Sequence, residues 1–479
     1  MYRRRHRQHH GRPNGHQQEQ HHQQEQHHQY EQHHQRQDHH EPQDQRRQNA
    51  RQRNRRQHRR GRGAWVTALG IGLLAVGVPG PAAATEATET TDVMRAAAVT
   101  PGAVFNDPAG TATAQNRIRD HVISLIQGAP AGSSITLSLY TFTDNDVRTA
   151  LVAANDRGVG VRAILDHKSR ESRTPGGEYE NLAAKLGTDR TQKSWVMTCP
   201  QTRSCIGNRT IGQAAINHNK FFLFSSTGGA DDVVVQTSAN MTGVQRTDLF
   251  NNAVTLVDSG LYANYLAYFA DQEKYGTSGD GLASYYKTPS SPTNAAYKTY
   301  FFPRQESSGK AYNTDPATDT VKLILDNVTC SSSQPTEVRM AANLFYRDHI
   351  ATKLVAMADA GCKVYLAADG NPNGGREGVP SMGKTVESIV SGKLTQRVAC
   401  WENPPAGRTA NIGLHSKYLL VKGVYAGAAN EKIVFTGSHN YSWQALRSND
   451  ETLLKINDDA VHDQFKADHD HLMDYCAGS

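Results

Sequence analysis

Polar and apolar positions divide the 479-residue chain into a polar leader, a short apolar run and a long region with regular periodicity. Residues 1–60 have almost no aliphatic side chains, so they cannot bury enough surface to offset the entropy of ordering. We therefore predict that residues 1–63 form a disordered leader rich in His, Gln and Arg. An apolar run at 64–78 follows, and strand and helix patterns begin near residue 99.

The region after the apolar run contains one pattern of elements twice, 203 residues apart. In the first copy, an apolar strand pattern at 135–140 precedes a helical pattern and a second apolar strand at 159–165, which ends on Asp166. The second copy covers 338–368 and ends on Asp369. Short apolar runs that alternate with helical periodicity are typical of β–α–β units.

Two such copies predict a tandem duplication of an α/β sandwich domain with mostly parallel sheets. We expect the N-terminal half over residues 99–275 and the C-terminal half over residues 295–476. The residues between them are rich in Gly, Ser and Pro, which is typical of a linker.

Each half also carries a histidine and a lysine two residues apart, directly before an apolar strand. These pairs are His218 with Lys220 and His415 with Lys417. Residues two apart on a strand face the same way, so each histidine should project together with its lysine. One such pair would carry no information, but two equivalent pairs in a duplicated domain are not explained by chance.

A small polar motif follows each pair after 20 to 25 residues. It contains Ser238 and Asn240 in the first half, and Ser438 and Asn440 in the second. The lysines and asparagines would supply positive charge and hydrogen-bond donors to a phosphate, and we expect the serines to add further substrate contacts. Two histidines allow one to attack phosphorus while the other protonates the leaving alcohol. The pattern therefore predicts phosphodiester chemistry.

A carboxylate completes the candidate catalytic set. Glu451 lies 11 residues beyond Asn440, and we predict that it holds one ring nitrogen of His415 and stabilises the charged imidazole. The corresponding place in the first half holds Asn251 or Asn252. The two histidines should therefore differ in basicity.

These motifs resemble those of the phospholipase D superfamily, whose tandem members carry two H-x-K-x4-D motifs, each followed by G-S-x-N. The resemblance covers about residues 99–475. It implies two halves that meet at a pseudo-twofold axis, one shared active site at their interface and a phosphohistidine mechanism that needs no metal or other cofactor. By analogy with secreted bacterial members, it implies that His218 is the nucleophile and His415 the general acid and base.

The chain departs from this family pattern at three positions. Ser225 and Lys422 stand where the motif has aspartate, and Thr237 stands where the first G-S-x-N has glycine. The resemblance implies that the aspartate is largely structural, so we expect activity to survive. The alternative is a degenerate, inactive member.

Charge is distributed very unevenly along the chain. The whole chain has 52 Lys and Arg against 46 Asp and Glu, a formal charge of +6. Residues 1–84 contain 15 Arg and 6 acidic residues, which leaves 37 basic and 40 acidic side chains in the other 395 residues. Nucleic-acid binding needs a surface that neutralises many phosphates, so a net charge of −3 argues mildly against it without excluding a local basic groove.

The apolar run has the features of an export signal. Arginines precede it, it is about 15 residues long, and a small-residue segment ends at Ala84. It is shorter than the roughly 20 residues that span a bilayer. We therefore predict a signal peptide over 64–84 and a secreted protein, with a retained anchor as the alternative.

The cysteines agree with export. All six lie beyond the predicted cleavage site, and in an oxidising compartment we expect three disulfides. Cys199 and Cys205 are close enough to close one loop. Sequence alone leaves the pairing of the other four open, namely Cys330, Cys362, Cys400 and Cys476.

Three functional hypotheses remain at this stage. The favoured one is a secreted phospholipase D, acting as a monomer at a membrane or micelle surface, that hydrolyses glycerophospholipids to phosphatidate and a head-group alcohol, with transphosphatidylation as a further reaction. The alternatives are a secreted nuclease of the same superfamily, whose partner would be nucleic acid, and a non-catalytic binding protein.

Two further features are weaker. We expect the Asp- and His-rich segment at 468–471 to form the solvated face of a terminal helix rather than a metal site. Trp195 and Trp443 could line a lipid pocket, and core packing is the alternative for each.

Overall fold

A computed structural model describes residues 98–170 and 177–478 of the chain. The predicted disordered leader at 1–63 and the predicted signal peptide at 64–84 lie outside the described residues. None of the described helices is both long enough and apolar enough to cross a membrane.

The first half forms a sheet with helices on both faces. Its strands are β1 (Gly102–Phe105), β2 (Ser134–Leu139), β3 (Gly160–Leu165), β4 (Trp195–Thr198), β5 (Lys220–Thr227), β6 (Ala230–Thr237), β7 (Leu249–Phe250) and β8 (Asn252–Val257). Its helices are α1 (Ala112–Gly128), α2 (Asn145–Asp156), α3 (Glu178–Leu186), α4 (Gly243–Thr247) and α5 (Ser259–Thr277). The strand order of the first sheet is β1-β8-β6-β5-β2-β3-β4.

The second half repeats this arrangement. Its strands are β9 (Tyr297–Phe301), β10 (Val328–Thr329), β11 (Glu337–Ala342), β12 (Lys363–Asp369), β13 (Gln396–Glu402), β14 (Ile412–Leu414), β15 (Lys417–Tyr425), β16 (Ala428–Gly437) and β17 (Thr452–Asn457). Its helices are α6 (Thr320–Asp326), α7 (Asp348–Asp359), α8 (Lys384–Val390), α9 (Trp443–Arg447) and α10 (Asp459–Tyr475). The strand order of the second sheet is β7-β14-β13-β12-β11-β15-β16-β17-β9, and β10 pairs with β15.

The duplicated β–α–β unit forms as the periodicity predicts. Helix α2 buries Val147, Leu151 and Ala154, which lie on one face of the helix and pack toward the sheet. Helix α7 begins 203 residues later and buries an equivalent stripe that includes Ile350 and Leu354. The tandem α/β architecture is therefore confirmed.

The predicted predominance of parallel pairing is wrong. Parallel pairs join β2, β3 and β4, and likewise β11, β12 and β13, together with β7 and β14. The other ladders are antiparallel, so both sheets are mixed. The reason is that β5 and β15, which follow the His–Lys pairs, are each joined to the next strand by a short turn. A short turn can join only antiparallel neighbours.

The two halves share a core. Helices α5 and α10 lie between the sheets, where Tyr265 and Phe465 belong to the same buried cluster as Phe221 of the first sheet and Leu420 of the second. The outer helices of each half pack on the other face of its sheet, and each half has its own separate buried cluster there. Strand β7 of the first half extends the second sheet by pairing with β14, so the backbone of one half continues into the other.

Three disulfides are formed, as the cysteine count predicts. Cys199 pairs with Cys205, as expected for two cysteines in one loop. The pairings that the sequence left open are Cys330–Cys362 and Cys400–Cys476.

The prediction of a solvated face at residues 468–471 is wrong for His469 and right for His471, which is exposed. His469 is fully buried, with Nδ1 3.2 Å from Arg339, and Asp468 accepts a hydrogen bond of 2.9 Å from the Tyr418 hydroxyl. The error arises because α10 lies between the two sheets, so part of this turn faces the core.

The two tryptophans lie in different surroundings. Trp195 is buried on β4 and stacks on Phe269 at 5.7 Å, so core packing accounts for it. Trp443 begins α9 and is half-buried, with its ring edge-on to Tyr312 and His349.

A buried ion pair in the second half gives a stability prediction. Arg347 Nη1 lies 2.8 Å from Asp319 Oδ1, and neither side chain is exposed. Removing one partner leaves an uncompensated buried charge, so we expect Arg347→Ala to lower the free energy of unfolding by about 3–5 kcal/mol in urea titrations. The matched control is Arg119→Ala, whose partner Asp146 is exposed, with an expected loss below about 1 kcal/mol. Equal losses for the two variants would contradict the assignment.

Candidate active site

Each His–Lys pair lies at the start of a central strand. Lys220 is the first residue of β5 and Lys417 the first of β15, and His218 and His415 precede them by two residues. Each lysine ammonium donates a hydrogen bond to the backbone carbonyl of its own histidine, at 2.7 Å in the first half. All four side chains are buried, with 8 % or less of their surface exposed.

The backbone of each histidine of the two pairs is fixed by the opposite half. The N–H of His218 donates to the carbonyl of Asp450 at 2.9 Å, and the N–H of His415 donates to the carbonyl of Phe250 at 2.9 Å. Asp450 and Phe250 lie at equivalent places, 200 residues apart. This reciprocal exchange brings the two histidines together at the interface between the halves.

The side chain that contacts the ring of each histidine also comes from the opposite half. His218 Nδ1 lies 3.0 Å from Glu451 Oε2, and His415 Nδ1 lies 3.0 Å from Asn251 Oδ1. The prediction that Glu451 holds His415 is therefore wrong. The segment that carries Glu451 pairs through Asp450 with Asn217, and this bridge aligns the carboxylate with the histidine of the other half.

The two serines act on these ring partners. Ser238 Oγ donates to Asn251 Oδ1 at 2.9 Å, and Ser438 Oγ donates to Glu451 Oε2 at 2.6 Å. Both serines are fully buried. Their hydroxyl protons are therefore used inside the protein, in place of the substrate contacts that the sequence led us to expect.

The asparagines of the S-x-N motifs are differently placed. The side-chain oxygens of Asn240 and Asn440 are buried and have no hydrogen-bond partner among the described residues. A buried amide group without a partner is unusual in a folded protein. These two amides can therefore still make contacts to a substrate, unlike the two serines.

The histidines are positioned by two aspartates for which the sequence predicted no role. Asp166 Oδ2 accepts the N–H of Asn217 at 2.7 Å, and Asp369 Oδ1 accepts the N–H of Leu414 at 3.0 Å. Each aspartate thus holds the residue directly before the histidine of its own half. Both end the repeated β–α–β unit, 203 residues apart, so this repeat was the signal that could have found them.

Tyr140 is a further residue that the sequence analysis missed. Its ring centre lies 5.2 Å from that of His218, and the Lys220 ammonium lies 5.4 Å from it. The second half has Asn343 at the equivalent place, which donates to the carbonyl of Leu414 at 2.9 Å. The surroundings of the two histidines therefore differ in more than their ring partners.

Asp450 links the site to a disulfide-closed loop. Its buried carboxylate accepts hydrogen bonds from Ser204 Oγ at 2.7 Å, from the Ile206 N–H at 2.9 Å and from the Gly207 N–H at 2.8 Å. Gly207 approaches the second half so closely that an added Cβ would lie 2.0 Å from the Ser448 carbonyl oxygen. The loop is therefore fitted to the segment that carries Glu451.

One group of potential metal ligands occurs among the described residues. Cys199, Cys205 and Asp450 bring their sulfur and carboxylate atoms within 4.8 Å of one another. The two sulfurs are joined in a disulfide and therefore supply no thiolate.

Burial dominates the electrostatics of the site. It lowers the pKa of His415 well below its usual value, and nearby Lys417 and Lys220 lower it further. It also lowers the pKa of Lys417, to which Lys220 adds. Burial raises the pKa of Glu451 to about 8, against the opposing effect of Lys220. The buried site therefore disfavours positive charge on His415 and Lys417, and a bound anion would favour it.

The departures from the family pattern lie away from these contacts. Ser225 accepts the backbone N–H of Ser134 at 2.8 Å, and Lys422 is exposed near the far end of β15. Thr237 donates to the carbonyl of Asn252 at 2.7 Å and so fixes the S-x-N turn. None of the three contacts a ring of the histidine pair in the described structure.

Several solved structures are similar to this chain at low identity. Phosphatidylserine synthase from Haemophilus influenzae Rd KW20 is 11% identical, with a TM-score of 0.50, over 78% of this chain and 85% of that one. Polyphosphate kinase from Porphyromonas gingivalis is 12% identical, with a TM-score of 0.47, over 78% of this chain and only 50% of that one. Nuc from Salmonella typhimurium, titled a phospholipase D family member, is 22% identical, with a TM-score of 0.26, over 37% of this chain and 96% of that one. At 11% identity, the likeness to the phosphatidylserine synthase shows the fold alone.

A family model decides the relationship. No curated protein sequence matches the chain. The model described as "Cardiolipin synthase, PLD-like domain" matches residues 122–272 and again residues 329–473, one match in each half and more than half of the chain in total. The chain therefore belongs to the PLD-like phosphodiesterase superfamily, as a member with two PLD-like domains.

Proposed function

We propose that the protein is a secreted phospholipase D that hydrolyses glycerophospholipids to phosphatidate and a free head-group alcohol. When an alcohol replaces water, the same site carries out transphosphatidylation. The observation that carries the proposal is the pair of His–Lys sites whose ring partners come from opposite halves. A lipid substrate is supported by the description of the matching family model and by the fold shared with a phosphatidylserine synthase.

His218 is the nucleophile in this proposal. Its Nδ1 lies 3.0 Å from Glu451 Oε2. With the ring proton held on Nδ1 by this contact, Nε2 carries the lone pair that attacks phosphorus. The phosphorylated imidazole is cationic, and the carboxylate beside it offsets that charge. His415 has the neutral amide of Asn251 in this place and lacks such support.

The reaction has two balanced steps. In the first, the His218 Nε2–phosphorus bond forms, the bond from phosphorus to the head-group oxygen breaks, and His415 gives a proton to the departing oxygen. In the second, His415 takes a proton from water, the water oxygen bonds to phosphorus, and the bond to His218 breaks. An alcohol in place of water gives the transfer product.

The phosphate oxygens are bound by the groups that remain available. Lys220 and Lys417 supply positive charge, and the Nδ2 groups of Asn240 and Asn440 donate hydrogen bonds. Burial and the repulsion from Lys220 lower the pKa of Lys417. A diester anion bound between the two lysines offsets this repulsion and favours the charged form of Lys417.

Secretion and a membrane- or micelle-bound substrate are part of the proposal. The three disulfides are compatible with an oxidising compartment. We propose that the segment at 64–84 directs export and that the protein acts as a monomer on phospholipid surfaces.

The test is to offer the purified secreted protein vesicles of phosphatidylcholine, vesicles of phosphatidylethanolamine and plasmid DNA, each with and without EDTA. Head-group release that EDTA does not reduce is the expected result. DNA cleavage without lipid cleavage would replace the proposal with a nuclease, and a strict need for metal would contradict the mechanism. Inactivity on all three substrates would favour a non-catalytic binding protein.

A further inference from the structure

We infer that Asn251 makes the site select its substrates by their leaving group. The site prefers substrates that release an acidic group, namely a phenol from a phosphodiester or a phosphate from a phosphoanhydride, over phosphodiesters that release an alkoxide, such as that of choline. The inference rests on the proposed function and narrows its substrate class. It starts from the asymmetry between the two ring partners.

The orientation of the Asn251 amide is fixed by its other contacts. Its Nδ2 donates to the backbone carbonyls of Gln245 at 2.9 Å and Leu249 at 3.2 Å, and its Oδ1 accepts from Ser238 Oγ. The oxygen must therefore face His415, whose Nδ1 donates to it. In the neutral ring the single proton is thus on Nδ1, and Nε2 holds a lone pair.

Burial and the neighbouring cations oppose a second proton on His415. Lys417 on the adjoining strand, together with Lys220 and His218 of the other half, disfavours an added positive charge. These effects outweigh a hydrogen bond with the Ser238 backbone that favours it. The nearest carboxylates are occupied elsewhere. Glu451 bonds His218 and Ser438, and Asp369 bonds Ser381 and the backbone of Leu414.

A neutral His415, with its proton on Nδ1, affects the two chemical steps differently. An alkoxide leaving group needs a proton from His415 Nε2, which only the cationic ring can give. A phenolate or phosphate leaving group keeps its electron pair without that proton. In the second step the neutral ring is already the base that takes a proton from water or an alcohol. Proton donation in the first step is therefore where Asn251 limits the reaction.

The experiment compares two substrates with the same phosphatidyl group, phosphatidylcholine and phosphatidyl-p-nitrophenol, in the secreted protein between pH 5 and pH 8. For phosphatidylcholine, kcat/KM should fall by about tenfold per pH unit over the upper part of this range, because the cationic form of His415 is lost. For the aryl substrate, the dependence on pH should be much flatter. Parallel pH profiles for the two substrates would overturn the inference.

A variant gives a second measurement. Asn251→Asp places a carboxylate against His415 Nδ1, so kcat/KM for phosphatidylcholine at pH 7 should rise by about tenfold or more, with little change for the aryl substrate. The matched control is Asn252→Asp, since that side chain bonds Thr436 and not His415, and it should give no such rise. Thermal unfolding checks that both variants fold, and the wild-type pH profiles test the inference if either does not.

The outcomes separate the two proposals. Cleavage of both substrates with equal dependence on pH leaves the phospholipase D proposal intact and removes the role of Asn251. Inactivity on both substrates overturns the proposed function and this inference with it.

Discussion

The variant His218→Ala should lose turnover by a factor on the order of 10⁴ or more, because it removes the atom that bonds to phosphorus. Head-group release from phosphatidylcholine vesicles is the measurement. His415→Ala should cause a loss of similar size on this substrate, since an alkoxide then has no proton donor. The double variant should be scarcely worse than either single variant, because the two residues act as a unit.

A matched control is His121→Ala. His121 is partly buried on α1, where Nε2 lies 2.7 Å from Thr255 Oγ1, and it has no contact with the site. Its activity should stay within about threefold of the wild type. Full activity in either His218→Ala or His415→Ala would refute a single site shared by both halves.

The same variants distinguish the nucleophile from the general acid. With phosphatidyl-p-nitrophenol, His415→Ala should still release nitrophenol in a burst and then accumulate phosphatidyl-His218, since only the second step needs the base. Mass spectrometry of the denatured protein would detect the adduct. His218→Ala should give neither burst nor adduct, and an adduct on His415 would reverse the assigned roles.

The duplicated elements were predictable because local patterns decide them. The apolar spacing on α2 and α7 and the short apolar strands recur at a constant interval, and the packing of one half does not alter them. The His–Lys pairs followed from the same regularity. Predicting their placement on the starts of β5 and β15 needed only the two-residue period of a strand.

The partner of each histidine was not predictable in this way. Glu451 is closer in sequence to His415 than to His218, so sequence distance favoured the wrong pair. The crossing follows from backbone bonds between the halves, such as those from His218 to Asp450 and from His415 to Phe250. These contacts depend on how the two halves pack, and no local pattern reports that.

The burial of His469 was missed for a related reason. A segment of alternating Asp and His is typical of a solvated helix face. Its actual surroundings depend on α10 packing between two sheets, one of which comes from the other half. A charged sequence then forms buried contacts with Arg339 and the backbone of Met340.

The loop closed by Cys199–Cys205 is connected to the proposed nucleophile, His218, through Asp450. Ser204, Ile206 and Gly207 hold the carboxylate of Asp450, whose carbonyl in turn fixes His218. The next residue, Glu451, holds the ring of the same histidine. Loss of the disulfide frees the loop and should therefore disturb the position of the nucleophile.

We expect Cys199→Ser/Cys205→Ser to lower kcat by about 10- to 100-fold, because a small displacement of the nucleophile is enough for a loss of that size. The loss of stability should be only about 2 kcal/mol, since the disulfide closes a short loop with a sequence separation of 6. Asp450→Ala should reproduce the fall in kcat with the disulfide intact.

Cys330→Ser/Cys362→Ser is the matched control. This disulfide closes a longer loop with a sequence separation of 32, so its removal should lower the free energy of unfolding more, by about 3–4 kcal/mol. Cys362 precedes β12, whereas Asp369, at the other end of that strand, is the residue that contacts the His415 segment. Below the unfolding transition kcat should therefore be unchanged. If the two double variants instead lose activity in proportion to their stability, the loop acts only through folding, and the link from Cys199–Cys205 to His218 is refuted.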